Sequence, residues 1–210
     1  MKEITPVVIP VAYTTLLHDN VTDYLSSIGA NEAVKQIPRN ITTLDFLPAF
    51  AGKLCYRSFQ PGLNPNVTKV RSDYGEYIGN ILKQKHGAVL EHSNITFLFH
   101  NVSRVFTHEL VRHRAGVAIS QESLRYVRPE EISMYIPDNL AQYREQIADI
   151  IQRSETLMGQ ISTEQQLDNP QISFHTKKEL TSSMRRILPD GIATTILWTA
   201  NLRTLRHVIA

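Results

Sequence analysis

One cysteine and one tryptophan in 210 residues, and no apolar run approaching the roughly 20 residues of a membrane span, set the first limits. Cys55 cannot close an internal disulfide, and it offers a cysteine-based metal centre no partners. The opening Met1–Pro10 has no sustained apolar run behind its early lysine, so it does not read as a secretory signal. Charge of one sign is also scarce: 22 Lys and Arg against 20 Asp and Glu leave a net +2. A protein that coats nucleic acid carries a larger excess, so any anion site here must be local. No repeat and no low-complexity tract is present. The expectation is a cytoplasmic enzyme or binding domain without a membrane partner. A hydrophobic share of 42% is enough for a single domain with its own core.

Elements follow from periodicity and punctuation. Ile4–Tyr13 is rich in Val and Ile and reads as a strand, which Pro6 and Pro10 make an edge or irregular one. Val21–Asn40 mixes polar and apolar residues and is expected to belong to an N-terminal elaboration of about residues 1–42. Thr43–Ser58 reads as a helix capped by Thr42 or Thr43, with Pro48 early enough to be tolerated near its first turn. Gln60–Asn66 is a loop. A helix over Val67–Lys85 is expected from the stripe Val70, Tyr74, Tyr77, Ile78, Ile81 and Leu82.

Ser93–Val102 alternates as a strand, and Ser103 can cap a helix through Val105, Phe106, Leu110 and Val111, broken by Gly116. Leu124–Val127 reads as a short extended piece. Pro137–Asp138 opens a helix to about Ser162 with Asp138 as cap. Ser173–Leu188 reads as a helix stopped by Pro189 and Gly191, Ala193–Thr199 as a strand, and Asn201 as the cap of a last helix. Without a regular βαβ rhythm, α+β is preferred to a doubly wound sheet.

The informative stretch is Ser103–Arg128, SRVFTHELVRHRAGVAISQESLRYVR. It holds Arg104, Arg112, Arg114, Arg125 and Arg128 between apolar residues. Arginine offers a planar donor fork matched to phosphate and keeps its charge at any physiological pH. If the helix ends near Arg112, then Arg112, His113 and Arg114 can turn towards one cleft, with Ser120, Gln121 and Ser123 supplying neutral donors and acceptors. The plain alternative is a charged helix end followed by a surface loop, and the cluster alone names no ligand. A nucleic-acid-reading helix is a third reading. The low net charge and the apolar Phe106, Leu110 and Val111 argue against it.

Other residues invite competing readings. Cys55 sits between Leu54 and Tyr56 with no histidine at helical spacing, and is read as a buried structural thiol. The histidines lack the His-x-x-x-His spacing of a zinc helix, so no metal is expected, and His92 is read as buried and hydrogen-bonded. Glu109, three before Arg112, is either an ion pair that pins the arginine or a nucleotide contact. Trp198 is read as core or interface.

The segment Arg112-His113-Arg114, followed by Ser123-Leu124-Arg125-Tyr126, resembles the signature of the flavin-dependent thymidylate synthases. Eight residues separate Arg114 from Ser123 where the family has one fewer, with the extra residue placed near Ala115–Gly116. HGAVLEH (His86–His92), AGKLCYRS (Ala51–Ser58), RRILP (Arg185–Pro189) and WTANLRTLRH (Trp198–His207) resemble other family segments in the same order. The resemblance runs from about Ala51 onward, with gaps between roughly Pro129 and Glu179.

It implies an α+β fold with a central, mostly antiparallel sheet flanked by helices, and a homotetramer with active sites at subunit interfaces. It implies FAD held by His86, Ala88, Arg112, His113, Arg114, Gln121, Asn201, Arg203 and His207. It implies deoxyuridine monophosphate (dUMP) held by Glu109, Arg112, Gln121, Glu122, Ser123, Leu124, Arg125 and Arg185, with Ser123 and Arg125 on the phosphate. NADPH would recharge the flavin, and methylenetetrahydrofolate would donate the carbon, placed with help from His86. Family members continue with a further arginine that activates uracil and a Gln-Trp-Glu motif. That end of the domain, and the certain catalytic group, are therefore expected beyond Ala210, which leaves a nucleotide- and FAD-binding pseudoenzyme as an alternative.

Overall fold

The computed structural model describes residues 1–37, 43–126 and 131–210. The chain is α+β. A four-stranded, mostly antiparallel sheet has the order β2 (Val7–Tyr13), β3 (Asn94–Ser103), β6 (Ala193–Asn201), β4 (Val117–Gln121). A small parallel pair joins β1 (Lys2–Glu3) to β5 (Ser133–Met134). β2 is an edge strand, where Pro10, the one proline inside it, is tolerated. Contacts gather the chain into two compact units. The first comprises Met1–Ile9, Phe97–His113 and Ile119–Trp198; the second comprises Pro10–Thr96, Arg114–Ala118 and Thr199–Ala210.

In the first unit the helices are α5 (Arg104–Leu110), α6 (Arg144–Glu164) and α7 (Phe174–Met184). Ser103 caps α5 by accepting from Phe106 N, and Ser173 caps α7 by accepting from Thr176 N. Ile151 and Met158 of α6 are buried, seven residues apart and so on one face. Ile151 joins Ile132 and Ile192; Met158 joins Leu167 and Met184. Trp198 is 1% exposed and meets the edge of Phe99 at 6.2 Å, so it is core. Several expectations need correction. Asp138 is not a cap: a 3-10 turn over Asp138–Tyr143 precedes α6, its N-cap position falls on Pro137, and no side chain caps it. Leu124–Tyr126 is a turn, and the strand in this region is β4. Phe106 is partly exposed, its ring centre 5.3 Å from that of Phe99.

In the second unit the helices are α1 (His18–Ser27), α2 (Asn31–Lys35), α3 (Thr43–Tyr56), α4 (Tyr74–Lys83) and α8 (Leu202–Ile209). Leu25, Ala33, Ile37, Phe46 and Phe59 form one core, and Ala49, Tyr77 and Ile81 another. α4 begins at Tyr74, later than the apolar stripe suggests, because Asp73 accepts from Glu76 N at 2.6 Å and caps it there. The caps considered at Thr42 and Thr43, and the calls that reach Asn40, Val127 and Arg128, lie outside the described residues or side chains.

Pro48 lies beyond the first turn of α3. Having no N–H, it leaves the Leu44 carbonyl without its helical donor. Ser93, fully buried, supplies one: its hydroxyl donates to Leu44 O at 3.0 Å. Ser93→Ala strands that carbonyl, and the expected cost is about 1–3 kcal/mol in urea unfolding. An unchanged midpoint would show the bond to be dispensable.

Lys53 is 3% exposed. Its ammonium donates to Arg71 O at 2.7 Å and lies 5.3 and 5.5 Å from the ring centres of Tyr74 and Tyr77. Burial pulls its pKa below the ordinary 10.5. Between that depressed value and 10.5 the unfolded chain binds more protons, so Lys53 makes stability rise with pH, and the gain is complete above 10.5. Burial raises the Tyr74 and Tyr77 phenols above 10.0, which lowers stability above that pH. Comparison with Lys53→Met therefore isolates the lysine. The wild type should gain on the variant as pH rises towards 10.5, and a pH-independent difference would contradict this.

Candidate functional site

In the second unit, the turn after α4 builds one wall of a cleft. Lys85 adopts φ +60°, and His86 N donates to Ile81 O at 3.0 Å. The chain thus doubles back into a 3-10 turn over Gly87–His92. Arg203 of α8 lies along this turn, its side chain where a Cβ on Gly87 would meet it at 3.5 Å. Its guanidinium is held by Glu91. The cleft encloses about 420 Å³ between Gly52, Cys55, Tyr77, Lys85, His86, Ala88 and Arg203, among others. Tyr77, Ile81 and Val89 give it an apolar side; Lys85 and Arg203 give it cations, and His86 an imidazole. A planar ring system carrying phosphate has that chemistry.

Gly116 fixes the loop that carries Arg114. At φ +69°, a Cβ there would lie 2.0 Å from Asn201 Nδ2 and 3.0 Å from Thr204 Oγ1. Only glycine permits that approach. Asn201 N donates to Gly116 O at 3.1 Å, and Thr204 donates its hydroxyl to the Ala115 carbonyl. Asn201 Oδ1 caps α8 by accepting from Thr204 N at 2.9 Å. Buried and so occupied, Asn201 holds the loop and the helix together. Arg203 and His207 are exposed and share one face of α8 at helical spacing.

In the first unit, α5 ends at Leu110, so Arg112 and His113 stand in the turn that follows it. Gln121 is tied back to α5: its Nε2 donates to Thr107 Oγ1 at 3.0 Å, while the Thr107 hydroxyl donates to Arg104 O at 2.9 Å. Glu122 N donates to Thr195 O at 2.9 Å, fixing the main chain beside β6. Then Ser123–Tyr126 closes as a turn, Tyr126 N donating to Ser123 O at 3.0 Å. Arg125 N donates to Ser123 Oγ at 3.3 Å. That hydroxyl keeps its own proton for a ligand, and the exposed Arg125 fork stands two residues away. Leu124 packs against the cluster of Ile132, Ile151 and Ile192, which anchors the turn.

Glu109 is exposed, and among the described residues it forms no ion pair with Arg112. Arg185 is exposed at the C-terminal end of α7. Two side-chain readings are corrected. Cys55 is exposed and lines the cleft, because α3 turns Lys53 inward and Cys55 outward. His92 is exposed; the buried residue is its neighbour Ser93. Among the described residues no group of three His, Cys, Asp or Glu side chains gathers as a metal site would. No described helix is long and apolar enough to cross a membrane.

Residues 40–210 match the family described as Thymidylate synthase complementing protein, and the chain belongs to that family. It is 32% identical over 168 residues to the flavin-dependent thymidylate synthase of Corynebacterium glutamicum, covering 78% of this chain and 65% of the relative. It is 33% identical over 173 residues to that of Corynebacterium diphtheriae, covering 80% and 66%. The flavin-dependent thymidylate synthase of Mycobacterium tuberculosis is 31% identical over 170 residues, covering 78% and 65%. The chain thus spans slightly less than two thirds of the length of these relatives. Its fold is also similar to the crystal structure of the UMP/dUMP methylase PolB from Streptomyces cacaoi bound with 5-Br UMP, with TM-score 0.60 and 16% identity over 100% of this chain and 77% of that one.

Proposed function

We propose that this chain is a flavin-dependent thymidylate synthase, converting dUMP to dTMP with methylenetetrahydrofolate as carbon donor and NADPH as reductant. The observation that carries the reading is the cleft of His86, Gly87, Ala88 and Arg203, in a chain that belongs to this family. Arg203 lies along the main chain at Gly87, and the apolar wall beside the Lys85 and Arg203 cations suits FAD. When bound, FAD supplies the hydride that no amino-acid side chain can supply.

The chain's own residues bind and orient. His86, Ala88, Arg203 and His207 hold the flavin, with Asn201 and Gly116 setting the loop from which Arg114 reaches it. The resemblance assigns Arg112, His113 and Gln121 to the flavin as well. Ser123 donates its hydroxyl and Arg125 its guanidinium to the dUMP phosphate, while Glu109, Glu122, Leu124 and Arg185 complete the nucleotide site. Charge at fixed positions stabilises the developing negative charge without solvent reorganisation. The balanced net charge of +2 favours a mononucleotide over nucleic acid. The same reading makes the protein a cytoplasmic homotetramer of single domains with sites completed by neighbouring subunits.

The test is tritium release from dUMP labelled at the uracil C5, with FAD, NADPH and methylenetetrahydrofolate present. Release that requires all three supports the reading. A flavin-loaded chain that releases none would overturn it.

A further inference from the structure

We propose that Phe174 and Lys178, one turn apart on α7, are positioning residues that hold the Ser123–Tyr126 turn in its phosphate-binding form by gripping the Tyr126 ring. The proposal rests on the dUMP reading above.

Phe174 is 70% exposed and Tyr126 58%, so burial in a core fixes neither ring. They are nevertheless stacked, with centroids 6.3 Å apart and planes within 13°. Lys178 adds a second hold, its Nζ 5.2 Å from the Tyr126 centroid. Phe174 and Lys178 share one helix face by their spacing, and the Ser173 cap fixes where that face starts, Thr176 N donating to Ser173 Oγ at 3.1 Å. An arrangement with both rings in water is placed by ring and cation contacts, which are directional.

The grip reaches the phosphate groups by the shortest path. Tyr126 is the last residue of the turn, and its N–H closes it on Ser123 O. Arg125 is its immediate neighbour and donates its own N–H to Ser123 Oγ. Holding the Tyr126 ring therefore limits where the Arg125 fork and the Ser123 hydroxyl can point. The coupling also has a chemical signature. The Lys178 ammonium, by hydrogen bonding and then by charge, draws the Tyr126 phenol below its ordinary 10.0, with a smaller pull from Arg125. Nothing in the sequence around Phe174 marks it: the pairing joins residues 48 apart in the chain.

The experiment has two arms on the full chain. The first is a phenolate absorbance titration of the wild type, Lys178→Met and Lys178→Arg, each referenced to its Tyr126→Phe counterpart. The second is equilibrium binding of dUMP and of FAD to the same lysine variants and to Phe174→Ala. Tyr126 should ionise below 10.0 in the wild type and in Lys178→Arg, and move upward in Lys178→Met. Phe174→Ala and Lys178→Met should weaken dUMP roughly two- to ten-fold, with FAD affinity unchanged and with Lys178→Arg restoring most of the loss. The same Tyr126 titration in the wild type and Lys178→Met overturns the proposal, as does unchanged dUMP affinity in both weakened variants. If the wild type itself binds no dUMP, the functional reading falls instead, and the titration still decides whether Lys178 grips Tyr126.

Discussion

Arg125→Ala should weaken dUMP binding roughly ten- to hundred-fold while leaving FAD affinity within about two-fold, the loss expected when one charge-assisted phosphate contact worth about 1.5–3 kcal/mol is removed. The selectivity follows from where Arg125 sits. Its side chain is exposed, and among the described residues it takes part in no ion pair that the substitution would break. Its structural bond is made by the main chain, through N–H to Ser123 Oγ, and alanine keeps that bond. The turn should therefore survive, and thermal unfolding should be unchanged. Ser123→Ala should give a smaller loss, since it removes a neutral donor but also the acceptor that orients Arg125 N–H. Equal weakening of dUMP and FAD by Arg125→Ala would mean that this turn does not hold the nucleotide phosphate.

Gly116→Ala should have a larger effect on the molecule and a different selectivity. Two costs add. A side chain at φ +69° is strained by about 1–3 kcal/mol, and a Cβ 2.0 Å from Asn201 Nδ2 overpacks a site with no slack, typically another 1–3 kcal/mol. Asn201 cannot retreat, because its Oδ1 caps α8 and its N–H is bonded to Gly116 O. The variant should melt several degrees lower, at about 2–4 °C per kcal/mol for a chain of this size. Because the displaced elements carry Arg114 and Arg203, FAD affinity should fall more than dUMP affinity. Asn201→Ala relieves the clash but removes the cap, so the double variant should recover part of the loss of Gly116→Ala. A Gly116→Ala protein with wild-type melting and FAD binding would show that the loop has another conformation open to it.

Local chemistry was readable in the sequence. Ser103 and Asn201 were each read as caps, and each caps a helix with its side-chain oxygen, because capping depends on one oxygen and N–H groups three residues away; Ser173, read only as the start of its helix, caps it too. The edge position of β2 was one of the two readings that Pro6 and Pro10 offered, because proline has no N–H to give a neighbouring strand. What failed was set by distant contacts or by a stronger local signal. The α4 stripe could be extended back to Val70, but Asp73 fixes the start. β4 was hidden because Val117–Gln121 lies between two arginine motifs that dominate the reading.

Of the residues that the resemblance named, His86, Ala88 and Arg203 line one cleft. Cys55, Tyr56 and Lys85 line it as well. For Cys55 and Tyr56 the signal was the AGKLCYRS segment, but apolar neighbours around Cys55 suggested burial while the helix turns it outward; Lys85 carried no such signal. The role of Gly116 was misread as a helix break. The helix had already ended at Leu110, and the glycine is needed for a close approach to residues over 80 positions later, which no local pattern encodes. Likewise Ser93 compensates Pro48 across the fold, and neither residue alone announces the other.

The most direct test of the account is a titration of the purified chain with FAD, followed by oxidised-flavin absorbance and repeated with dUMP present. The account predicts saturable FAD binding that is weakened by Arg203→Ala and by Gly116→Ala, and a further change in the flavin spectrum when dUMP is added. That dUMP response should be lost in Arg125→Ala. A chain that is folded by circular dichroism yet takes up no FAD, with or without dUMP, would contradict it.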